Sequence, residues 1–456
     1  MKANKSIGMV VWNDFRNDAR VLKEARTLAR AGYRVTVHAL LRPGKTPRFE
    51  ELEPGLCVRR VSLLTLPNWR RGQAKDRRSA HIGAVGVKAG KGGRIGLRVR
   101  LAMKMASRGF THAGLLFWLA RLGPDAVHAH DVNVLPTAWL AARLRVSRLV
   151  YDAHEISTSR EGYRGLRNFV GWIEKRLAPR ADAMITTTDM RAKFFARAYK
   201  VPRPLVLQNR PHLTAVKDQG RIATELGLEE NWPIVLYQGG IQQGRGLEML
   251  VDAASLVPEC YFVLIGGGRL VPAIEDRIER QGLAGRVHVI PTVGLAELTS
   301  YTASADIGVQ PLLNTCLNHF TTDSNKLFEY AMAGLPVVAS DFPEIRRIVR
   351  QHELGLLFDP AVPGALAAAI SALVKDQAAR EKFARNARQS AAALSWEEQE
   401  DKLLDFYARV FGEPARGSVA ANMPRFALAT QADERDVNGL EPASIGVNAP
   451  SGGVGR

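Results

Sequence analysis

Cysteine is scarce in this chain: Cys57, Cys260 and Cys316 are the only three in 456 residues, odd in number and far apart. That argues against a disulfide framework or a zinc knuckle and fits a reducing cytoplasm. Long apolar runs are missing too. The longest, AGLLFWLA, is stopped by Arg121 and is too short to cross a bilayer. The opening MKANKSIGMVVWNDF lacks the apolar core of a signal peptide and reads as a first strand, so no export is expected. Acids are in short supply, 45 against 63 Lys and Arg, which leaves a net charge of +18. A partner or substrate of negative charge is the natural complement. What is present, 46% hydrophobic residues, is enough for two domains with full cores.

The rhythm along the chain is strand, turn, helix, the pattern of parallel sheets covered by helices on both faces. Strands are expected at Ile7–Trp12, Arg34–Leu40, Ala126–Ala129, Leu149–Asp152, Ala183–Thr187 and Leu205–Gln208, with a second series from Pro233. The helix DARVLKEARTLARAG has Asp18 as its N-cap and Gly32 as its stop. The polar stretch NRPHLTAVKDQG, 209–220, reads as an interdomain hinge. SWEEQEDKLLDFYARVF carries Ser395 and Glu398 at capping-box spacing and reads as a terminal helix. Past Glu413, Gly, Ala, Pro, Asn and Ser without periodicity imply a disordered tail. The expected organisation is thus a first domain over 1–213, a second over 214–394, a helix over 395–412 and a tail over 413–456.

The most informative stretch is NKLFEYAMAGLPVVAS, Asn325–Ser340. Asp323 or Ser324 can cap its helix and Gly334 can end it before Pro336. Backbone N–H groups at that N-terminus, with Lys326 beside them, suit a phosphate, and Glu329 lies one turn on, within reach of ribose hydroxyls. The plain alternative is that Glu329 pairs with a cation on a solvated face. Upstream, PIVLYQGGIQQGRGLEMLVDAASLV reads as strand, glycine-rich turn and helix. Gly239, Gly240, Gly244 and Gly246 allow close approach of an anion, and Arg245 offers a fork of donors for a diphosphate. YFVLIGGGRL brings Gly266, Gly267 and Gly268 to the end of the next strand, so two glycine turns point to one sheet edge.

The order YQGG, LIGGG, ADIGVQPL and NKLFEYAMAGLPVVASDFPE, across about 233–360, resembles the donor domain of retaining glycosyltransferase family 4. The first half adds DARVLKEARTLARAGYRVTVHAL, PDAVHAHDVNVLPTAWLAARL, LVYDAHE and ADAMITTT in the same order. The resemblance implies an α/β GT-B fold: two Rossmann-like, doubly wound domains facing a cleft, with the terminal helix returning to the first domain. It also implies a transferase moving a sugar from a nucleotide-diphosphate sugar, such as a UDP- or GDP-sugar, to a glycan or lipid-linked acceptor in surface polysaccharide or glycolipid synthesis. No cofactor is needed, the anomeric configuration is retained and no metal is required. Arg245, Lys326 and helix N-termini would stabilise the leaving diphosphate; Gly239, Gly240, Gly266, Gly267 and Glu329 would line the nucleotide; His130 would orient the acceptor or the sugar.

Three positions depart from the family pattern. The first of its two glutamates, eight residues before Glu329, is Thr321 here. The first glycine turn has Gly240 where many members have Arg, and VVWNDFRNDAR replaces a Gly-Gly loop. The grip on the diphosphate then rests more heavily on Arg245 and Lys326.

The segment 69–108 carries twelve Lys or Arg and one acid, Asp76. It reads as a solvated loop, a nucleic-acid contact or a surface facing anionic lipid. Interleaved Ile95, Leu97, Val99, Leu101, Met103 and Met105 favour lipid, and the lack of stacking aromatics apart from Trp69 disfavours nucleic acid. The expected location is cytoplasmic, with a peripheral station at the inner face of the membrane. His128 and His130 point to one face of a strand, and with Asp131 and His154 they also suit a metal-dependent hydrolase. No further cluster to complete a coordination shell is evident in the sequence. His128 reads as a core histidine, His154 and Glu155 as a buried polar network or an acceptor-side pair. A sugar-nucleotide epimerase on the same architecture and a noncatalytic scaffold binding a membrane or polyanion remain open readings.

Overall fold

The computed structural model describes residues 5–62, 91–214 and 220–414. The first part of the basic segment and the expected tail therefore lie outside the described residues.

Two parallel sheets organise the chain. The first runs β3-β4-β2-β1-β5-β6-β7-β8, with β1 Ser6–Val10, β2 Arg34–Leu41, β3 Phe49–Glu53, β4 Leu56–Ser62, β5 Ala126–His130, β6 Arg148–Ala153, β7 Ala183–Thr186 and β8 Leu205–Val206. Only β3 is antiparallel, paired to β4 at the sheet edge. The second runs β11-β10-β9-β12-β13-β14, with β9 Ile234–Gln238, β10 Tyr261–Ile265, β11 Val287–Ile290, β12 Ile307–Gln310, β13 Val337–Ser340 and β14 Gly355–Phe358. This is the doubly wound order, in which the direction of winding reverses between β9 and β12 and ligands collect beyond the strand ends at that switch. The central strands IVLYQ and YFVLI are buried at every residue, as strands covered on both faces must be. The expected strands are present within two residues at each end. The β3–β4 hairpin was not among them, because FEELE is largely exposed and acidic and carries no apolar alternation.

Each sheet has one apolar cluster per face. On one face of the first sheet, helix Ala19–Arg30 lies beside the terminal helix Glu397–Val410. Asp18 caps the former, accepting the Val21 N–H at 3.2 Å. The terminal helix returns to this lobe from the second one, burying Leu403, Phe406 and Tyr407 in the same cluster as Val21 and Leu28. Trp396 leads it in: its indole N–H donates to Thr27 Oγ1 at 3.0 Å. The expected capping box does not form. Trp396 occupies the N-cap position without a side-chain bond, and the Ser395 hydroxyl instead donates to the Ala392 carbonyl at 2.8 Å.

The lobes also meet through a buried latch. Asn318 accepts the Ile156 N–H at 2.7 Å and donates to the Ile156 carbonyl at 3.0 Å. Arg191, 5% exposed, donates to the Asn318 carbonyl at 3.0 Å and to Thr321 Oγ1 at 3.3 Å. Met190 N–H donates to Glu344 at 2.7 Å.

Candidate active site

Between the lobes lies a cleft of about 570 Å³ whose walls include the loop after β1 (Asn13, Asp14, Asn17, Asp18), Arg20, His154, Arg245 and residues 322–326. Its floor on the second lobe is the N-terminus of helix Asn325–Met332. That helix sits where it does because of Tyr330, wholly buried, whose hydroxyl lies 3.1 Å from the Leu236 carbonyl and 3.2 Å from that of Val309 and accepts the Gln238 N–H at 3.3 Å. β9 and β12 are in register only at Ile307–Val235 and Gly308–Leu236. Beyond that pair, Tyr330 occupies the space between the two strands, and a Cβ on Gly308 would stand 2.5 Å from its ring. Sequence reasoning passed over Tyr330; its signal was an aromatic hydroxyl on the buried side of the helix, next to Glu329.

Neither expected cap is made. Ser324 is at the N-cap position with φ 54° and no side-chain bond to the helix, and the Asp323 carboxylate accepts instead from Gln208 Nε2 at 2.8 Å. A serine at positive φ costs energy that the surrounding structure must hold. The result is a helix start whose first N–H groups meet the cleft rather than a side chain.

Lys326 and Arg245 both line the cleft, and among the described residues neither makes an ion pair or a side-chain hydrogen bond. The Lys326 ammonium lies 5.0 Å from the centre of the Tyr237 ring. Burial and then the nearby Arg245 guanidinium press its pKa down to about 8, against an opposing pull from Glu329. Glu329 accepts from Gln238 Nε2 at 2.6 Å, and Gln238 Oε1 accepts from Thr302 at 2.7 Å, so its carboxylate is held by a buried amide and not by a surface cation.

The two glycine turns are stacked on each other. Gly239 N–H donates to the Ile265 carbonyl at 2.8 Å, Ile241 N–H to that of Gly267 at 3.0 Å. A Cβ on Gly266 would stand 1.9 Å from the Gly239 carbonyl oxygen, so Gly266 is buried support for the first turn. Gly239, at φ 128°, has a backbone conformation that L side chains rarely adopt, and a Cβ there would stand 2.7 Å from Lys326 Nζ. Gly240 and Gly267 are exposed. None of these glycines, nor Glu329, forms part of the cleft wall itself; Lys326 connects them to it.

On the first lobe the residues gather round Asp152, wholly buried. Arg20 reaches both its oxygens at 2.9 and 3.0 Å and also Glu24 at 3.0 Å. His154 Nε2 lies 3.1 Å from Asp152 and 3.3 Å from His130 Nδ1. Burial works against a charge on His154, but Asp152 and then Asp131 outweigh it and raise its pKa to about 9. His130 was expected to face the cleft. It does not: it is 3% exposed, stands behind His154 and is stacked at 4.1 Å on His128, and burial lowers its pKa. His154 is the histidine in the cleft wall. His128 is a core histidine as expected, bonded to the Tyr407 hydroxyl at 2.9 Å. Glu155 is half-buried, lines the cleft beside His154 and pairs with Arg160 at 3.4 Å.

The fold does assemble a metal-like cluster around the expected His128 and His130, but with Glu24 and Asp152 in place of Asp131 and His154: the four present ligand atoms within 4.8 Å of one another. Arg20 already supplies the positive charge, bridging Asp152 and Glu24, and a divalent ion would stand against its guanidinium. The donor set fits a charge-balanced polar network better than a cation site.

Comparison with known proteins places the chain in a family. The family model "Glycosyl transferase 4-like domain" matches residues 18–210 and "Glycosyl transferases group 1" matches 232–376. The chain belongs to the group 1, GT4-type glycosyltransferases. Similar curated proteins include a D-inositol 3-phosphate glycosyltransferase of Xylanimonas cellulosilytica, 26% identical over 62% of this chain and 72% of that protein. A phosphatidyl-myo-inositol mannosyltransferase of Mycobacterium leprae is 24% identical over 68% of this chain and 80% of that protein. Among solved structures, sucrose-phosphate synthase from Thermosynechococcus elongatus superimposes with a TM-score of 0.72 at 19% identity, over 90% of this chain and 99% of that one. Anabaena HepE in complex with UDP does so with 0.66 at 16%, over 89% and 100%. The fold of this glycosyltransferase is therefore GT-B, and its reaction is sugar transfer from a nucleotide-sugar donor. The epimerase reading finds no support among these relatives.

Proposed function

We propose that this glycosyltransferase binds the diphosphate of a UDP- or GDP-sugar between Arg245, Lys326 and the open N-terminus of helix Asn325–Met332. Glu329 takes the ribose hydroxyls, and the glycine turns let the backbone approach the nucleotide. One observation carries the reading: two cations, with no carboxylate paired to either among the described residues, stand at an uncapped helix start at the sheet's switch point. Like charges that press on each other, as Arg245 does on Lys326, are costly until an anion joins them. As the glycosidic bond to the donor breaks, charge grows on the diphosphate, and these fixed groups meet it without reorganising and without a metal. The sugar then projects towards His154 and the loop Asn13–Asp18, where the acceptor hydroxyl of a glycan or lipid-linked substrate enters. His130 serves as a positioning residue behind His154. Thr321, taken by Arg191, does not contact the sugar, so residues 322–325 stand in for the missing glutamate. Anomeric configuration is retained, and the protein works in the cytoplasm at the membrane's inner face.

Calorimetric titration with UDP and GDP tests the donor site. One nucleotide should bind the native protein, and Arg245→Ala and Glu329→Ala should weaken it; with sugar donor, Arg245→Ala should lower kcat by roughly a hundredfold, about 3 kcal/mol. Unchanged affinity in both variants would remove the assignment.

A further inference from the structure

Helix Lys91–Leu122 packs against helix Leu135–Arg145, which packs against helix Arg167–Leu177, on the face of the first sheet opposite the terminal helix. Their inward faces are ordinary core: Leu115 and Leu119, Ala138 and Ala141, with Leu177 packed against the same cluster. Their outward faces are not ordinary. In the first, Phe110 is 65% and Phe117 57% exposed, seven residues apart and therefore on one stripe. The second exposes Leu140 and Leu144. In the third, Phe169 and Trp172 are more than half exposed and stack on each other at 6.4 Å, with Arg176 5.6 Å from the Trp172 ring. Scattered apolar residues on a surface need no explanation, but large side chains on three neighbouring helices do.

Charge is equally one-sided. The three helices contain a single acid, Glu174, and it is wholly buried, accepting hydrogen bonds from Tyr151, Ser157 and Tyr199. Arg108, Arg121, Arg143, Arg167 and Lys175 are exposed among the apolar residues. Aromatic and leucine side chains interleaved with arginine, and no exposed acid, match the boundary between headgroups and acyl chains of an anionic bilayer. A protein partner would not require every charge to be of one sign over three helices.

We propose that this three-helix face docks the first lobe on a membrane containing anionic phospholipid. Phe110, Phe117, Phe169 and Trp172 insert at the interface while the arginines meet phosphates. Position supports the reading. Arg108 lies 5.5 Å from the ring of Trp12, just beyond the C-terminal end of β1, so this face reaches the same sheet edge as the cleft. An acceptor anchored in the bilayer could pass its headgroup into the cleft without leaving the surface. The inference rests on the lipid-linked acceptor proposed above and extends the contact from the end of the basic segment at Arg108 to the folded helices beyond it.

Sedimentation with vesicles tests it, using the full chain, phosphatidylglycerol–phosphatidylcholine mixtures and phosphatidylcholine alone. The native protein should bind the mixed vesicles, weaken as salt is raised and bind little to phosphatidylcholine alone. The pair Phe169→Gln, Trp172→Gln should reduce partition by about tenfold or more. UDP or GDP binding by the same variant should be unchanged, which separates failure here from failure of the donor site. Mixed-vesicle binding that survives both substitutions, or no binding by the native protein, overturns the proposal. So does a native dimer, seen by ultracentrifugation, that the substitutions dissolve, since the occupant would then be a second copy.

Discussion

At the scale of residues, His154 is the side chain whose charge has the clearest consequence. Its pKa is raised to about 9 in the folded protein, above the ordinary 6.5 of an unfolded histidine. Between those values the folded state holds a proton that the unfolded state has released. Stability from this residue is therefore complete below about pH 6.5 and is lost as pH rises through about 9. Glu24, raised by burial to about 8, adds to the same fall. Urea midpoints measured near pH 6 and near pH 9.5 should differ more for the native protein than for His154→Gln. Equal slopes would mean that His154 is not held charged by Asp152. Lys326 titrates near 8, and donor affinity should likewise decline with rising pH as its ammonium is lost above that value.

At the scale of elements, helix Asn325–Met332 depends on one hydroxyl. Tyr330→Phe keeps the ring beneath Gly308 but leaves the Gln238 N–H without its acceptor in a fully buried place. An unsatisfied buried group costs about 1–3 kcal/mol, and the denaturation midpoint should fall accordingly. Since Gln238 also holds Glu329, nucleotide affinity should weaken with it. A variant as stable as the native protein would show that packing alone places this helix. The helix itself was legible from NKLFEYAMAG and its Gly334 stop, which lies at φ 72°. Its capping was not, because Asp323 is claimed by Gln208 from the other lobe, a contact between residues 115 apart in sequence.

For the whole molecule the question is what holds two lobes at one cleft. The Asn318–Ile156 pair and Arg191 close it on one side, and the terminal helix spans it on another. Asn318→Ala removes two buried hydrogen bonds across the lobes and should open the resting cleft. Small-angle scattering should then report a larger radius of gyration, and transfer should slow more than donor affinity drops, because the groups proposed to hold the donor all belong to the second lobe. An unchanged radius would show that Arg191 and the helix suffice.

Apolar strands alternating with amphipathic helices, and glycines at strand ends, determined the two parallel sheets and the edge where ligands collect, since period and turn chemistry are local properties. Arg245, Lys326 and Glu329, the residues proposed for the donor, were likewise legible, being within a turn of recognisable loops. Tertiary structure decided the rest. It buried His130 and brought His154 to the cleft, because burial depends on which loops cover a strand end. It joined Arg20 and Glu24 of one helix to Asp152, 132 residues beyond Arg20. It also turned Thr321 inward under Arg191, since only the packing of one lobe on the other fixes which way that segment faces.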